Sequence, residues 1–282
     1  MPQGGRATEA IMTEFGNRVR AVCAAISFVL LIAIAATPQL YLMIAWFSLK
    51  GEEPARRRKA IVKWQSWWGA VSYAVVTRIL RVTVDFRVPE GFTPMDARQP
   101  FIVIANHRSS LDILVLIELM ARLGRTDIRW ILKRQLFSAP AIGRSCRETG
   151  CGYVVRGGDP DDIERVRRCA ALAMADNASV IIFPEGRRFV TPKPGSGYRS
   201  VLPPKVGGVL ALRREMSGYP VLSVTIRSDA PEAGKTMFDG ATYVGRVVTV
   251  ESALITDIDD HTVVTWLEGE WRRKDLRLAG VA

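Results

Sequence analysis

Short apolar runs that alternate with helical segments constrain the fold of this chain more than any other feature. Residues 101–105 and 179–183 contain no charged side chain, are too short for a buried helix, and are followed by polar residues or a Pro-Glu-Gly turn. Further strands are predicted over 82–88, 128–132, 152–155 and 221–226. Helices are predicted over 111–123, 135–143 and 160–176. Strands that alternate with helices predict an α/β fold, in which one domain contains a mostly parallel sheet flanked by helices.

An uncharged, mostly apolar stretch over residues 21–49 precedes these elements. Because about twenty apolar residues suffice to cross a bilayer, the stretch predicts an N-terminal membrane segment. A polar interruption at 37–39 leaves both a kinked transmembrane span and a re-entrant hairpin open. A secretory signal peptide that begins with Arg18 and Arg20 is the competing interpretation. The apolar character resumes over 40–49, which favours a retained anchor.

The charges around the anchor bear on its orientation. A basic cluster at 56–59 follows it closely, and the positive-inside tendency then places the rest of the chain in the cytoplasm. Residues 60–80 carry several aromatic side chains among basic ones, which fits an interfacial helix and a core helix equally well. The predicted organisation is a tail over 1–20, the anchor over 21–49, a basic linker with an interfacial helix over 50–81, and the folded domain over 82–282.

The composition of the chain limits the classes of molecule that it is expected to bind. The chain of 282 residues has a net charge of +11, which alone fits nucleic acid, anionic lipid or an anionic soluble substrate. A hydrophobic content of 48% argues against nucleic acid and predicts a basic protein that also contacts hydrocarbon. The four cysteines lack a Cys-x-x-Cys spacing and have no histidine pair beside them. We therefore expect no zinc or other metal site, and reduced thiols in a cytosol-facing domain.

A histidine and an aspartate follow the strand at 101–105. His107, one of only two histidines, would lie in the loop at the carboxyl end of that strand, and Asp112 would lie in the first turn of the next helix. A carboxylate there can accept a hydrogen bond from one imidazole nitrogen and leave the other to take a proton from a substrate hydroxyl. No serine or cysteine nucleophile is implied. The alternative is that Asp112 only caps the helix and His107 only bonds loop carbonyls.

Other predicted strands also end in charged groups. Arg156 follows the strand at 152–155, and Glu185, Arg187 and Arg188 follow the strand at 179–183. Because loops at one edge of a sheet can converge, these groups and His107 are predicted to face one pocket. A histidine base beside guanidinium groups suits a substrate that carries both a hydroxyl and a phosphate. The alternatives are a solvated arginine and an ordinary turn.

These segments resemble the motifs of a known enzyme family. The segment 106–112 is similar to the His-x4-Asp motif of the glycerolipid acyltransferases, the lysophosphatidate (1-acyl-sn-glycerol-3-phosphate) acyltransferase family. Residues 152–156, 183–188 and 219–221 resemble its second, third and fourth blocks, in the same order. Residues 202–208 and 266–275 further resemble the lysocardiolipin acyltransferase-like branch. Arg187 stands where the family usually has threonine, so the family arginine corresponds to Arg188.

The resemblance implies transfer of an acyl chain from acyl-CoA or acyl-carrier protein to the free hydroxyl of a lysophospholipid, most notably lysophosphatidate giving phosphatidate. It implies a single acyltransferase domain with His107 as base, Asp112 as its partner, and no metal or cofactor, and the positive-inside tendency predicts that this domain lies on the cytoplasmic membrane face. The resemblance implies the substrate-binding residues Arg156, Glu185, Gly186 and Arg188, and Arg187 and Lys205 are further candidate cations for the substrate. Another lysolipid acceptor, or a non-catalytic protein that binds anionic lipid at the bilayer, are the alternatives.

Overall fold

The computed structural model describes residues 3–93, 96–155, 159–192, 195–229, 239–259 and 262–280. The α-helices are α1 Gln3–Leu30, α2 Thr37–Leu49, α3 Pro54–Leu80, α4 Leu111–Arg122, α5 Pro140–Thr149, α6 Asp162–Ala175, α7 Val206–Glu215 and α8 Val263–Leu278. The strands are β1 Thr83–Arg87, β2 Ile102–Ala105, β3 Ile128–Lys133, β4 Gly152–Val154, β5 Ser179–Ile182, β6 Val221–Ser228 and β7 Val247–Ile255. A π-helical stretch covers Leu31–Ala36, and 3-10 helices cover Asp96–Arg98, Arg134–Ser138 and Asp239–Tyr243.

The strands form one seven-stranded sheet in the order β1-β7-β6-β2-β5-β3-β4. Neighbouring strands are parallel except β6 and β7, which pair antiparallel from Val221 with Ile255 to Ser228 with Val248. The sheet therefore confirms the predicted mostly parallel α/β fold. All six predicted strands form, whereas β7 was not predicted. Of the helices, α7 and α8 were also missed.

The central strands are buried on both faces, as expected for parallel strands covered by helices. Every residue of β2 and β5 is buried. Val103 of β2 belongs to a core that includes much of α4, whereas its neighbours Ile102 and Ile104 belong to a second core with side chains of α6, α7 and α8. Successive side chains of a strand point to opposite faces. The sheet is thus the middle layer between two helical layers.

The N-terminal segment is helical without a reversing loop over the described residues from Gln3 to Leu49. One face packs on the domain, since Ala21 and Ala24 contact the neighbourhood of Leu80 while Leu40 and Ile44 pack with Ile61 of α3. Among the described residues, one helical stretch, Met12–Leu49, is long and apolar enough to cross a membrane by length and composition. Residues 3–20, predicted as a tail, belong to the first helix.

The polar interruption in this apolar segment has a structural partner in α3. The side-chain oxygen of Gln39 accepts hydrogen bonds from the indole nitrogens of Trp64, at 3.1 Å, and Trp68, at 2.7 Å. The hydroxyl of Thr37 donates to the carbonyl of Ile32 at 2.6 Å. These bonds satisfy polar groups that would otherwise face apolar surroundings. The interruption at 37–39 is therefore a docking point for α3.

Helix α3 occupies most of the predicted linker. Ile61 and Trp68 are buried, and Trp67 remains 56% exposed. At Gly69 an added Cβ would lie 2.8 Å from Cγ2 of Ile117, so α3 and α4 approach closely there. Two arginines of the basic cluster 56–59 also contact the domain, where Arg57 pairs with Glu148 and Arg58 with Asp176, both at 3.0 Å. Helix α3 therefore packs on the domain through part of its surface and leaves Trp67 exposed.

Candidate active site

The chain leaves β2 through Asn106, whose buried side chain is paired with the neighbouring strand β6. Its amide nitrogen donates to the carbonyl of Ile226 at 2.9 Å, and its side-chain oxygen accepts from the backbone nitrogen of Ile226 at 2.8 Å. This pair continues the ladder between β2 and β6 by a side chain instead of backbone. It places the next residue, His107, at the carboxyl edge of the sheet.

His107 and Asp112 form the predicted pair. Nδ1 of His107 lies 2.9 Å from Oδ2 of Asp112. The same oxygen accepts the backbone N–H groups of Arg108, at 2.6 Å, and Ser109, at 2.8 Å, while Oδ1 accepts the hydroxyl of Ser109 at 3.1 Å. Because hydrogen-bond donors surround Asp112, we assign the imidazole proton to Nδ1. Nε2 is then the nitrogen available to a substrate.

Aromatic rings at the ends of adjacent strands support the imidazole. The ring of Phe183 lies parallel to the ring of His107, with centroids 4.1 Å apart, and Trp130 stacks against Phe183 at 6.3 Å. These residues lie on or just after β2, β5 and β3, which are neighbours in the sheet. The stack restricts rotation of the imidazole. Phe183 and Trp130 lie on predicted strands but were not predicted as site residues.

Glu185 lies behind the histidine. Its side chain is buried, and its two carboxyl oxygens accept the backbone N–H groups of His107 and Leu202, each at 3.0 Å. Burial raises the pKa of Glu185 to about 8, although these two hydrogen bonds act in the opposite direction. Glu185 therefore connects the histidine loop to the loop before α7, and both oxygens of its carboxyl group face backbone N–H groups.

A cavity of about 1140 Å³ opens beside the His107–Asp112 pair. Its polar end is lined by His107, Ser109 and Ser110. Its walls come largely from apolar side chains of α1, α3, α4 and β3, among them Phe28 and Ile117. A largely apolar cavity that includes a histidine and two serines in its lining suits a ligand with a hydrocarbon chain and a polar head.

Cationic side chains gather at the polar end. Arg187, Arg188 and Lys205 all line the cavity, and Arg188 donates from Nη1 to the hydroxyl of Ser110 at 3.2 Å. Gly186 has a φ of +69°, and a Cβ added there would lie 3.3 Å from Nζ of Lys205, so glycine lets this lysine lie against the turn. Neither Arg187 nor Lys205 forms a salt bridge within the described part of the chain. These cations can bind a phosphate.

The structure brings most of the predicted site residues together. His107, Gly186, Arg187, Arg188 and Lys205 line one cavity. Asp112 bonds to the imidazole of His107, and Glu185 bonds to the backbone N–H of the same histidine. Arg156, predicted for the acceptor, lies outside the described residues.

The comparison with known families agrees with this geometry. The family model described as Acyltransferase matches residues 81–227, a span that runs from the start of β1 through most of β6. The chain belongs to the acyltransferase family. This match includes His107, Asp112, Glu185 and the cationic residues at the cavity. The acyltransferase and glycerolipid resemblance predicted from the motif blocks is thereby confirmed at the level of the family.

Individual relatives give finer similarities. Over 142 residues the chain is 30% identical to human 1-acyl-sn-glycerol-3-phosphate acyltransferase alpha, which covers 50% of this chain and 45% of that protein. It is 27% identical over 124 residues to a 1-acyl-sn-glycerol-3-phosphate acyltransferase of Helicobacter pylori (strain J99 / ATCC 700824), covering 44% of this chain and 48% of that protein. The chain thus spans about half the length of the curated relatives it matches.

A solved structure is similar in fold to almost the whole of this chain. The crystal structure of the 1-acyl-sn-glycerophosphate (LPA) acyltransferase, PlsC, from Thermotoga maritima superposes with a TM-score of 0.58. It covers 93% of this chain and 98% of that chain at 18% identity. At this identity the likeness shows the fold, including the helices that precede β1.

Proposed function

We propose that this protein transfers an acyl chain from a thioester donor, acyl-CoA or acyl-carrier protein, to the free hydroxyl of a lysophospholipid. Lysophosphatidate is the proposed acceptor and phosphatidate the product. The observation that carries the proposal is the His107–Asp112 pair beside a large and mostly apolar cavity. The names of the relatives in human and Helicobacter pylori support the same acceptor.

The geometry supports His107 as the general base of the proposed reaction. Nε2 removes the proton of the acceptor hydroxyl while Nδ1–H donates to Asp112, which stabilises the imidazolium. The hydroxyl oxygen attacks the thioester carbonyl, an ester bond forms, and the carbon–sulfur bond breaks. His107 then returns its proton to the departing thiolate. The acyl chain moves directly from donor to acceptor, so no acyl-enzyme is needed.

The acceptor phosphate is assigned to the cationic end of the cavity. Arg188 is the main phosphate ligand, because its bond to Ser110 holds the guanidinium beside the helix that carries Asp112. Arg187 and Lys205 add positive charge at the same end. Glu185 has the supporting role of aligning the backbone of His107, since both its oxygens bond to N–H groups.

The protein is proposed to act at a membrane, with its catalytic domain on the cytoplasmic face. The helical stretch Met12–Leu49 supports a membrane anchor by its length and composition. Ile34 and Leu42 on this stretch are 70% and 71% exposed. Such exposed apolar side chains on one face of a helix favour contact with hydrocarbon. The basic cluster 56–59 supports the cytoplasmic orientation.

A panel of acceptors tests the proposed reaction. Purified protein in phospholipid vesicles is mixed with one acyl-CoA and, separately, with lysophosphatidate, lysophosphatidylglycerol, lysocardiolipin and monoacylglycerol. We expect thiol release together with phosphatidate formation to be fastest with lysophosphatidate. Faster turnover of another lysophospholipid would replace the acceptor, and binding to vesicles without thiol release from any mixture would favour the non-catalytic lipid-binding alternative.

A further inference from the structure

The loop over residues 199–202 is held by a carboxylate of the C-terminal helix. Oδ1 of Asp275 in α8 accepts the backbone N–H groups of Arg199 at 2.9 Å, Ser200 at 2.6 Å and Val201 at 3.1 Å. Oδ2 accepts a second bond from the N–H of Arg199 at 3.1 Å. Asp275 is only 7% exposed. Three consecutive backbone N–H groups thus depend on one buried side chain, and such groups are costly to leave unpaired.

The other side of this loop contacts the candidate active site by two routes. The N–H of Leu202 donates to Oε2 of Glu185, whose Oε1 accepts the N–H of His107, both at 3.0 Å. Separately, Nη1 of Arg108 donates to the carbonyl of Ser200 at 3.2 Å. A displacement of the loop would therefore move the backbone on both sides of the imidazole.

Helix α8 is itself held against the strand next to β2. Nζ of the buried Lys274 donates to the carbonyl of Val224 at 2.6 Å and to the hydroxyl of Thr225 at 3.2 Å, both in β6. The hydroxyl of Ser223 donates to Glu270 at 2.6 Å. Because β6 pairs with β2, the strand that precedes His107, α8 is a fixed reference for the loop.

We propose that Asp275 is a positioning residue for acyl transfer, which holds the 199–202 loop so that Glu185 and Arg108 keep the backbone of His107 in place. The inference rests on the proposed function for its activity test. It assigns a role to the C-terminal helix, which lies outside the span matched by the family model. A shift of about 1 Å in a reacting group can cost on the order of 10²-fold in rate, so a remote carboxylate can matter to turnover.

Three variants separate this role from simple loss of fold. Asp275→Ala removes all four hydrogen bonds and is expected to lower kcat about 10²-fold. Asp275→Asn keeps one acceptor oxygen, so we expect a smaller loss of kcat, and this variant serves if the alanine variant does not fold. The control is Glu268→Gln, an exposed carboxylate two turns earlier on the same helix, whose kcat should equal that of the wild type.

A double-mutant cycle asks whether the effect passes through Glu185. If Asp275 acts by that route, the losses in kcat from Asp275→Asn and Glu185→Gln will not multiply, and the double variant will resemble the worse single variant. Acceptor KM is expected to change less than kcat. Losses that multiply would overturn the route through Glu185, and an unchanged kcat with a lowered melting temperature would show that Asp275 is only structural.

Hydrogen–deuterium exchange gives a readout that needs no activity. In Asp275→Asn we expect faster exchange in peptides covering 198–203 and also in peptides covering 105–112, relative to Glu268→Gln. Faster exchange at 198–203 alone would overturn the inference. If the wild type transfers no acyl chain to any acceptor, the proposed function fails, but the exchange at 105–112 still decides whether Asp275 positions His107.

Discussion

The hydrogen bonds around Asp112 decide which nitrogen of His107 faces the substrate. Two backbone N–H groups and one hydroxyl already occupy this carboxylate, so it can only accept from the imidazole. The ring of Phe183 then restricts the imidazole from the side. At the scale of single residues, the proposed reaction therefore has an oriented base that acts on the substrate hydroxyl and not on an enzyme nucleophile.

Arg188 is the residue that should separate phosphorylated from unphosphorylated acceptors. We expect Arg188→Ala to raise KM for lysophosphatidate on the order of 10- to 100-fold, since a charge-assisted hydrogen bond contributes about 1.5–3 kcal/mol. Turnover of monoacylglycerol, which has no phosphate, should change little. The measurement is the ratio of kcat/KM for the two acceptors. An unchanged ratio would remove Arg188 from the phosphate site.

Glu185 and Lys274 predict an unusual pH dependence of stability. Burial raises the pKa of Glu185 from 4.5 to about 8, so between these values the folded state binds more protons than the unfolded chain. Its contribution to the free energy of unfolding therefore falls as pH rises to about 8. Burial lowers the pKa of Lys274 from 10.5 to about 8, so the unfolded chain binds more protons above pH 8 and that contribution rises with pH.

Together the two groups predict a minimum in their joint contribution near pH 8. The measurement is the melting temperature in detergent across pH 5 to about 10 for the wild type, Glu185→Gln and Lys274→Met. The glutamine variant should flatten the slope below the minimum, and the methionine variant should flatten the slope above it. If Glu185→Gln leaves the slope below the minimum unchanged and Lys274→Met leaves the slope above it unchanged, other groups control the pH dependence of the melting temperature.

At the scale of elements, the edge formed by the ends of β2, β3 and β5 collects the site. The buried runs that became β2 and β5 were predictable because both faces of a central parallel strand are apolar. β7 was not predicted because it lies between the edge strand β1 and β6, where several of its residues are partly exposed and its sequence is not a continuous apolar run. α7 begins with two glycines after its first residue, which weakens its helical pattern.

The candidate site also contains contacts that could be predicted from the sequence and contacts that could not. The His107–Asp112 bond joins residues five positions apart and could therefore be predicted from the sequence. The N–H of Leu202 donates to Glu185, and the N–H groups of residues 199–201 donate to Asp275. These bonds join segments that are distant in sequence, whose register depends on the packing of whole helices. Sequence patterns predict which strand ends carry charge. They do not predict which backbone N–H group each carboxylate will meet.

The exposed apolar side chains of the stretch Met12–Leu49 give a prediction at the same scale, at Ile34 in its π-helical part and at Leu42 in α2. Ile34→Gln with Leu42→Gln places polar groups at two sites that are about 70% exposed, so the fold should be retained. Each large apolar side chain transferred into hydrocarbon contributes roughly 1.5–3 kcal/mol, so partitioning into phospholipid vesicles should fall at least about tenfold. Co-flotation with vesicles measures this. Equal partitioning of variant and wild type would show that this face does not contact lipid.

At the scale of the whole molecule, three parts have separate tasks in the proposed reaction. The N-terminal helices offer an apolar face to a membrane, the sheet edge presents the base and the cations, and α8 holds the loop behind them. The cavity connects the first two parts, since residues of α1 and α3 line it together with His107. A lipid substrate could therefore enter with its chain among the helices and its hydroxyl at the imidazole.

The most direct measurement is thiol release from acyl-CoA, with and without lysophosphatidate, by the wild type and by His107→Ala in the same vesicles. We predict that the wild type releases thiol rapidly only when both substrates are present, and that His107→Ala loses at least about 10³-fold of that rate while remaining folded and bound to the vesicles. The matched control is His261→Ala, which removes the other histidine of the chain and should keep the wild-type rate. A wild-type rate in His107→Ala would contradict the account.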